Sequence, residues 1–417
     1  MQLSPRWNVA AVTVVVACWA SQFAAAGDWP QILGPQRNGV AAGEKLNTNW
    51  KASEGPKELW QKPVGSGLAG VAVVKGVTYV FHRLKNQELL EAVDARTGKS
   101  RWKASWPTDY DDTIAGDNGP RCVPVVSGDH VYAFGAAGTL ACIQTQDGKI
   151  VWSKNVGADY NAPRGYFGVG STPIVDSGVL IVNVGGPADK AGIVGFDPKT
   201  GDELWKTVAD TASYSAPVAT TVNGVRHVIC ITRLKCVSLD PKNGKVRFEF
   251  PFGKRGPTVN GASPLVMNDN FLVTASYGIG ATLAKIGTSS VDLIWSDDEI
   301  LSSQYSTPVF VDGYVYAVEG RQDAGPASLR CFDPLTKKIA WEKEGFGLAT
   351  PILAGNQLLL MRTDGELVVV AANPKAYQEL AKATLFDNTT RALPALSNGL
   401  LYVRDTKTLK CFDLSAN

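Results

Sequence analysis

Phe196-Asp197-Pro198-Lys199-Thr200-Gly201, leading to Trp205, is the stretch that decides the fold. It is the chemistry of a tight link between two strands. Asp can bond the backbone just ahead of it, Pro presets φ, and Gly takes the positive-φ position. The tryptophan beyond the turn is placed to wedge against a neighbouring unit, burying on the order of 200 Å². The same string returns along the chain. Val93-Asp94-Ala95-Arg96-Thr97-Gly98-Lys99 leads to Trp102, and Gln146-Asp147-Gly148-Lys149 to Trp152. Leu239-Asp240-Pro241-Lys242-Asn243-Gly244 leads to Phe248, and Phe332-Asp333-Pro334-Leu335-Thr336 to Trp341. Trp295 closes a degenerate copy, and the copy at Ala372-Asn373-Pro374 has lost its aromatic.

Upstream of each turn lies a second signature: a small residue, a variable one, Pro, then two runs of alternating apolar residues joined at Gly. Ser171-Thr172-Pro173, Ser215-Ala216-Pro217, Ala262-Ser263-Pro264, Ser306-Thr307-Pro308, Ala349-Thr350-Pro351 and Ala392-Leu393-Pro394 open six copies. Cys122-Val123-Pro124 opens another, and Gly70 opens an eighth with Val71 in place of Pro. Period-two alternation means half-buried strands. A unit of roughly 45 residues with four short strands has the size of a propeller blade, which cannot bury both faces alone and must stack.

The ends argue for a closed ring. The last copy stops at Cys411-Phe412-Asp413-Leu414, before any outer strand, and Glu58-Leu59-Trp60-Gln61-Lys62-Pro63-Val64 at the front supplies one. The expectation is an all-β, eight-bladed β-propeller of four-stranded antiparallel blades over residues 58–414, closed by its N-terminal strand. The docking positions are then Trp60, Trp102, Trp152, Trp205, Phe248, Trp295, Trp341 and a Leu380 substitute. Closure also removes exposed strand edges.

Residues 1–26 read as an export signal, with Arg6 before an apolar stretch from Val9 to Trp19 and small residues at Ala24-Ala25-Ala26. Val15-Val16-Ala17-Cys18 offers a second reading, a lipid-modified cysteine. Residues 27–57 form an N-terminal extension. The mature chain is expected in the periplasm or cell envelope, with no transmembrane span. Export permits disulfides. Cys230 and Cys236 flank what can be a hairpin turn, so they either face each other as a bridge or stand as two unpaired strand residues. Cys142, Cys331 and Cys411 share one repeat position, occupied by Gly195 in another copy, that asks for a small buried side chain.

At this level of detail the repeat resembles the tryptophan-docking repeat of the PQQ-like propeller superfamily. That group holds pyrroloquinoline-quinone (PQQ) dehydrogenases and non-enzymatic members such as the outer-membrane assembly lipoprotein BamB. Asp28-Trp29-Pro30-Gln31, Gly34-Pro35 and Arg37-Asn38-Gly39 are similar to the opening of a PQQ-repeat, BamB-like family common in planctomycetes, as are Ala212 to Pro217 and Ala275 to Gly278. The resemblance implies either an envelope scaffold that binds a protein or peptide, or a dehydrogenase using PQQ beside Ca²⁺. Fold alone does not choose, because function belongs to sites.

The residues favour the scaffold. No two cysteines are adjacent, as many such dehydrogenases require, and no cofactor or metal is expected, PQQ with Ca²⁺ being the alternative. The densest acid group, Asp109, Asp111, Asp112 and Asp117, reads as a solvated loop, although Ca²⁺ sites do use clustered carboxylates. His82, His130 and His227 lack metal-ligand spacing. A net charge of +2 gives no basic field for nucleic acid. No catalytic residue is assigned. A ligand site would lie at the channel mouth, at the residue three before each Pro position. Those residues are Leu68, Arg121, Gly170, Tyr214, Gly261, Tyr305, Leu348 and Arg391, with Asn260 adding a polar contact. Two Arg and two Tyr there suit an anionic, aromatic or glycan ligand.

Overall fold

The computed structural model describes residues 27–114 and 116–415. The export signal and the alternative Cys18 site lie outside them. Thirty-two strands form eight four-stranded antiparallel sheets, and the one helix among the described residues is the short Val156–Asp159 turn. Seven sheets are simple meanders, from Ala72–Val74, Val77–Leu84, Gln87–Asp94 and Ser100–Pro107 in blade one to Ala349–Ala354, Gln357–Arg362, Glu366–Ala371 and Glu379–Thr384 in blade seven. Blade eight takes Ala395–Ser397, Leu400–Arg404 and Thr408–Asp413 from the C-terminal end and its outer strand, Lys57–Pro63, from the front. Trp60 pairs with Cys411 and Glu58 with Phe412. The inner strand Ala395–Ser397 packs against Ala72–Val74, so the ring is closed.

The quoted turn explains how blades hold each other. Asp197 Oδ1 accepts from the amides of Lys199 and Thr200, and the Gly201 amide bonds Asp197 O at a φ of +74°. That turn leaves the Pro198 carbonyl pointing at the previous blade, where Trp152 Nε1 donates to it at 3.1 Å. Trp60 bonds Ala95 O, Trp102 Thr145 O, Trp205 Pro241 O, Trp295 Pro334 O and Trp341 Asn373 O in the same way. The glycine serves the docking as well as the turn. A Cβ on Gly98, Gly148, Gly201 or Gly244 would lie 2.4–2.8 Å from the ring of the preceding blade's tryptophan.

Every outer strand carries a β-bulge just before the docking position, at Leu59, Arg101, Val151, Leu204, Arg247, Ile294, Ala340 and Leu380. The extra residue turns the next side chain inward. In blade seven this corrects the expectation: Ala381, opposite Val369, holds the docking register, and Leu380 is the bulged residue. The small position shared by Cys142, Gly195, Cys331 and Cys411 lies directly across from Trp152, Trp205, Trp341 and Trp60.

The Cys230–Cys236 bridge does not form; all six described cysteines are free. In the hairpin Cys230 opposes Val237 and Cys236 opposes Ile231. The two thiols therefore face opposite sides of blade four, into two different interblade cores. Burial pushes the Cys230 thiol up to about 12.

Residues 27–50 pass across the hairpin end of the central channel. Asp28 accepts from the Lys75 amide, and Glu44 from those of Asn398 and Gly399. Between these anchors Trp29 bridges to Val73, Pro30 O accepts from Val126, and Ala41 and Gly39 bond Leu353. Arg37, fully buried, sits inside the ring. Its guanidinium donates to the carbonyls of Thr172, Pro173 and Pro217, and its Nε to Gln31 Oε1 at 2.8 Å. Four acceptors satisfy the cation without a carboxylate.

Candidate functional site

The loops entering the inner strands set the channel mouth, and hydroxyls hold those loops in a girdle. Ser171 Oγ donates to Ser215 O and Ser306 Oγ to Ala349 O, while Thr172 and Thr307 accept from the Val123 and Ser263 amides. These bonds account for the hydroxyls of Ser171, Thr172, Ser306 and Thr307 in two of the copies. The residue ahead of them projects into the channel. Leu68, Arg121, Gly170, Tyr214, Gly261, Tyr305 and Arg391 come together around one cavity of about 220 Å³; Leu348 is buried elsewhere. Because the extension plugs the other end, this space is a cup with one mouth, and Ile32 of the extension lines it. Phe167, Val259, Gln304, Gln322 and Leu393 complete the wall. Nothing in the repeat marked Ile32, Phe167 or the two glutamines, because they come from the extension and from loops outside the repeat.

The two arginines differ. Arg121 is tied down: it pairs with Asp112 Oδ2 at 2.6 Å, donates to the carbonyls of Asp117 and Gly119, and covers the Tyr110 ring at 4.9 Å. Arg391 forms no ion pair among the described residues; its Nε, like that of Arg121, is buried without a hydrogen-bond partner. Tyr305, pushed up to about 12 by burial against the nearby Arg391 charge, donates its hydroxyl to Gln322 Oε1 at 3.3 Å. Burial likewise raises Tyr214 to about 12, and its hydroxyl accepts from the Phe167 amide at 2.8 Å. Asn260 lines not the cup but the cavity beside it. Its amide nitrogen donates to Thr232 O and Arg233 O, and its own carbonyl accepts from the Tyr214 amide, so it holds the Tyr214 loop instead.

Gly170, Tyr214 and Val259 also line a second cavity of about 380 Å³, over blades two and three. Neither cavity is lined by Asp or Glu. The loop acids are engaged locally. Asp109 pairs with Arg164, Asp111 accepts from Asn118, and Asp117 accepts from the amides of Gly67 and Gly119. Among the described residues no three His, Cys, Asp or Glu side chains converge as a metal site.

The family model described as outer membrane protein assembly factor BamB matches residues 85–343. The BamB of Moranella endobia is 25% identical over 305 residues, covering 70% of this chain and 74% of that protein. A quinoprotein ethanol dehydrogenase from Pseudomonas aeruginosa is 31% identical over 175 residues, 39% of this chain, so the match spans only 25% of the dehydrogenase's length. Among solved structures, BamB from Moraxella catarrhalis superposes with a TM-score of 0.61 at 13% identity, over 86% of this chain and 98% of its own. A quinohemoprotein alcohol dehydrogenase from Pseudomonas putida gives 0.63 at 13% identity, over 94% and 81%. At such identities these two share the fold.

Proposed function

The chain belongs to the family of the outer membrane protein assembly factor BamB, and from that premise we propose that it is a non-catalytic binding module of the cell envelope. Its rigid ring presents a recognition cup and engages a protein or peptide partner, and the names of its relatives point to outer-membrane assembly as the setting. The observation that carries this reading is the chemistry of the cup. Its lining is aromatic, apolar and cationic, with a free guanidinium at Arg391 and no carboxylate.

Against the dehydrogenase reading stands the donor set. Ca²⁺ takes six to eight oxygens, commonly from carboxylates. Arg121 and Arg391 in the cup repel a divalent cation, and Asp112, the carboxylate on Arg121, is already paired with it. The residues present do not fit Ca²⁺ with PQQ. The test is titration of the purified protein with PQQ and Ca²⁺, followed by absorbance, by thermal shift and by dye-linked alcohol oxidation. No Ca²⁺-dependent oxidation is expected; turnover that requires both additions would overturn the reading. Cross-linking in intact cells of the source organism should trap a protein partner in the envelope. Recovery of the monomer alone would remove that part of the proposal.

A further inference from the structure

The cup and the cleft over blades two and three share the wall formed by Gly170, Tyr214 and Val259. A small pocket of about 220 Å³ sharing a wall with a cleft of about 380 Å³ can serve as a socket for the end of a chain. The terminal residue goes down and the preceding ones lie along the cleft. At about 220 Å³ the cup is below the usual range for a drug-sized ligand, and suits one large side chain. Ile32, Leu68 and Leu393 make its surface apolar, and the rings of Phe167, Tyr214 and Tyr305 stand around them.

Charge selects which chain end fits. Arg391 lines the cup and meets no carboxylate among the described residues, so a ligand carboxylate can pair with its guanidinium. Arg37 lies within the same channel, bonded only to neutral acceptors, and adds positive potential. A chain's ammonium end would face guanidinium groups in a cup without an acid. The cleft suits the residues that follow. Ala136, Ala137 and Gly138 line it without bulk, so a main chain can approach closely. Ile114 and Tyr166 line it while being 58% and 45% exposed, large apolar surface for side chains to cover.

We propose that the cup and its cleft bind the C-terminal end of a polypeptide, with the carboxylate on Arg391, an apolar or aromatic last side chain in the cup, and the preceding residues against Tyr166 and Ile114. This rests on the binding-module reading and names its ligand. The probe is a fluorescein-labelled alanine–serine hexapeptide ending in phenylalanine, made as free acid and as C-terminal amide and followed by fluorescence anisotropy. The free acid should bind at least tenfold more tightly than the amide, since a hydrogen bond to a charged group is at stake. Arg391→Gln should abolish that preference, and Arg391→Lys should restore part of it. Thermal melts of both variants should match the wild type, because Arg391 holds nothing in place. Ile114→Ser with Tyr166→Ala should weaken the hexapeptide severalfold while leaving N-acetylphenylalanine unaffected. Equal affinity for acid and amide, no binding of either at millimolar concentration, or an acid preference that survives Arg391→Gln overturns the proposal. So does N-acetylphenylalanine binding as tightly as the hexapeptide, which would make the ligand a small acid. Any of these failures alongside a negative oxidation assay leaves the non-catalytic reading in place, whereas Ca²⁺-dependent turnover would remove that reading whatever the peptide does.

Discussion

Replacing Trp60 by alanine is expected to loosen the ring at its seam. The side chain is 8% exposed, donates to Ala95 O at 3.0 Å, tilts against Tyr402 at 6.1 Å and lies over Gly98. Truncating a buried aromatic to alanine costs about 3–5 kcal/mol, because the cavity cannot refill. Unfolding entropy near 2.1 cal/mol/K per residue gives the folded chain of about 390 residues, extension included, roughly 0.8 kcal/mol/K, so Tm should fall by about 5 °C. Trp60→Phe separates ring from hydrogen bond. It keeps most of the wedge, as Phe248 does in blade four, and Ala95 O retains Tyr402 Oη at 3.1 Å. Only about 1 kcal/mol should be lost, or about 1 °C. Scanning calorimetry reads both variants, and limited proteolysis should release the N-terminal segment from Trp60→Ala first. A shift below 1 °C for Trp60→Ala, or equal shifts for the two, would refute the wedge as the source of closure.

Gly244→Ala should destabilise far more than Gly76→Ala in thermal melts. Both have φ near +70°, but a Cβ at 244 would lie 2.4 Å from Trp205 Cε3 whereas one at 76 meets nothing within 4 Å; equal losses would mean that the backbone alone needs the glycine. Acid should unlock the seam through Glu91. Burial opposes its ionisation, but the nearby His82 ring at 3.8 Å, Ser100 and the charge of Lys62, on the closing strand at 3.0 Å, hold its carboxyl at about 2. Its folded value is depressed, so its stabilisation is present above pH 4.5 and is lost as the pH falls from there towards 2. Glu91→Gln should flatten the stability profile over that interval, and an unchanged slope would show that Glu91 does not carry it.

The ring was legible because its determinants are local and repeated. Turn chemistry, period-two strands and the displaced strand at residues 58–64 each act within one blade or its neighbour. Leu380 misled by one place because a bulge shifts the register without leaving a mark in composition. Cys230 and Cys236 misled because a hairpin brings residues near each other without deciding which face each takes. The mouth positions followed from the repeat, and seven of the eight meet at one cup. What the repeat could not carry came from outside it. Arg37 and Ile32 enter the channel from an extension with no periodicity, and that insertion turns a pore into a cup. Arg121 and Arg391 look alike as sequence. Only the fold of the 109–119 loop brings Asp112 onto Arg121 and leaves Arg391 free.

Hydrogen exchange of Lys57–Pro63 in the native protein probes the closed ring most directly. The amides that bond to Thr408–Asp413 should exchange as slowly as those within that strand, through opening of the whole blade. Complete exchange of Lys57–Pro63 within seconds, with Thr408–Asp413 still protected, would mean that the front of the chain does not complete the last blade.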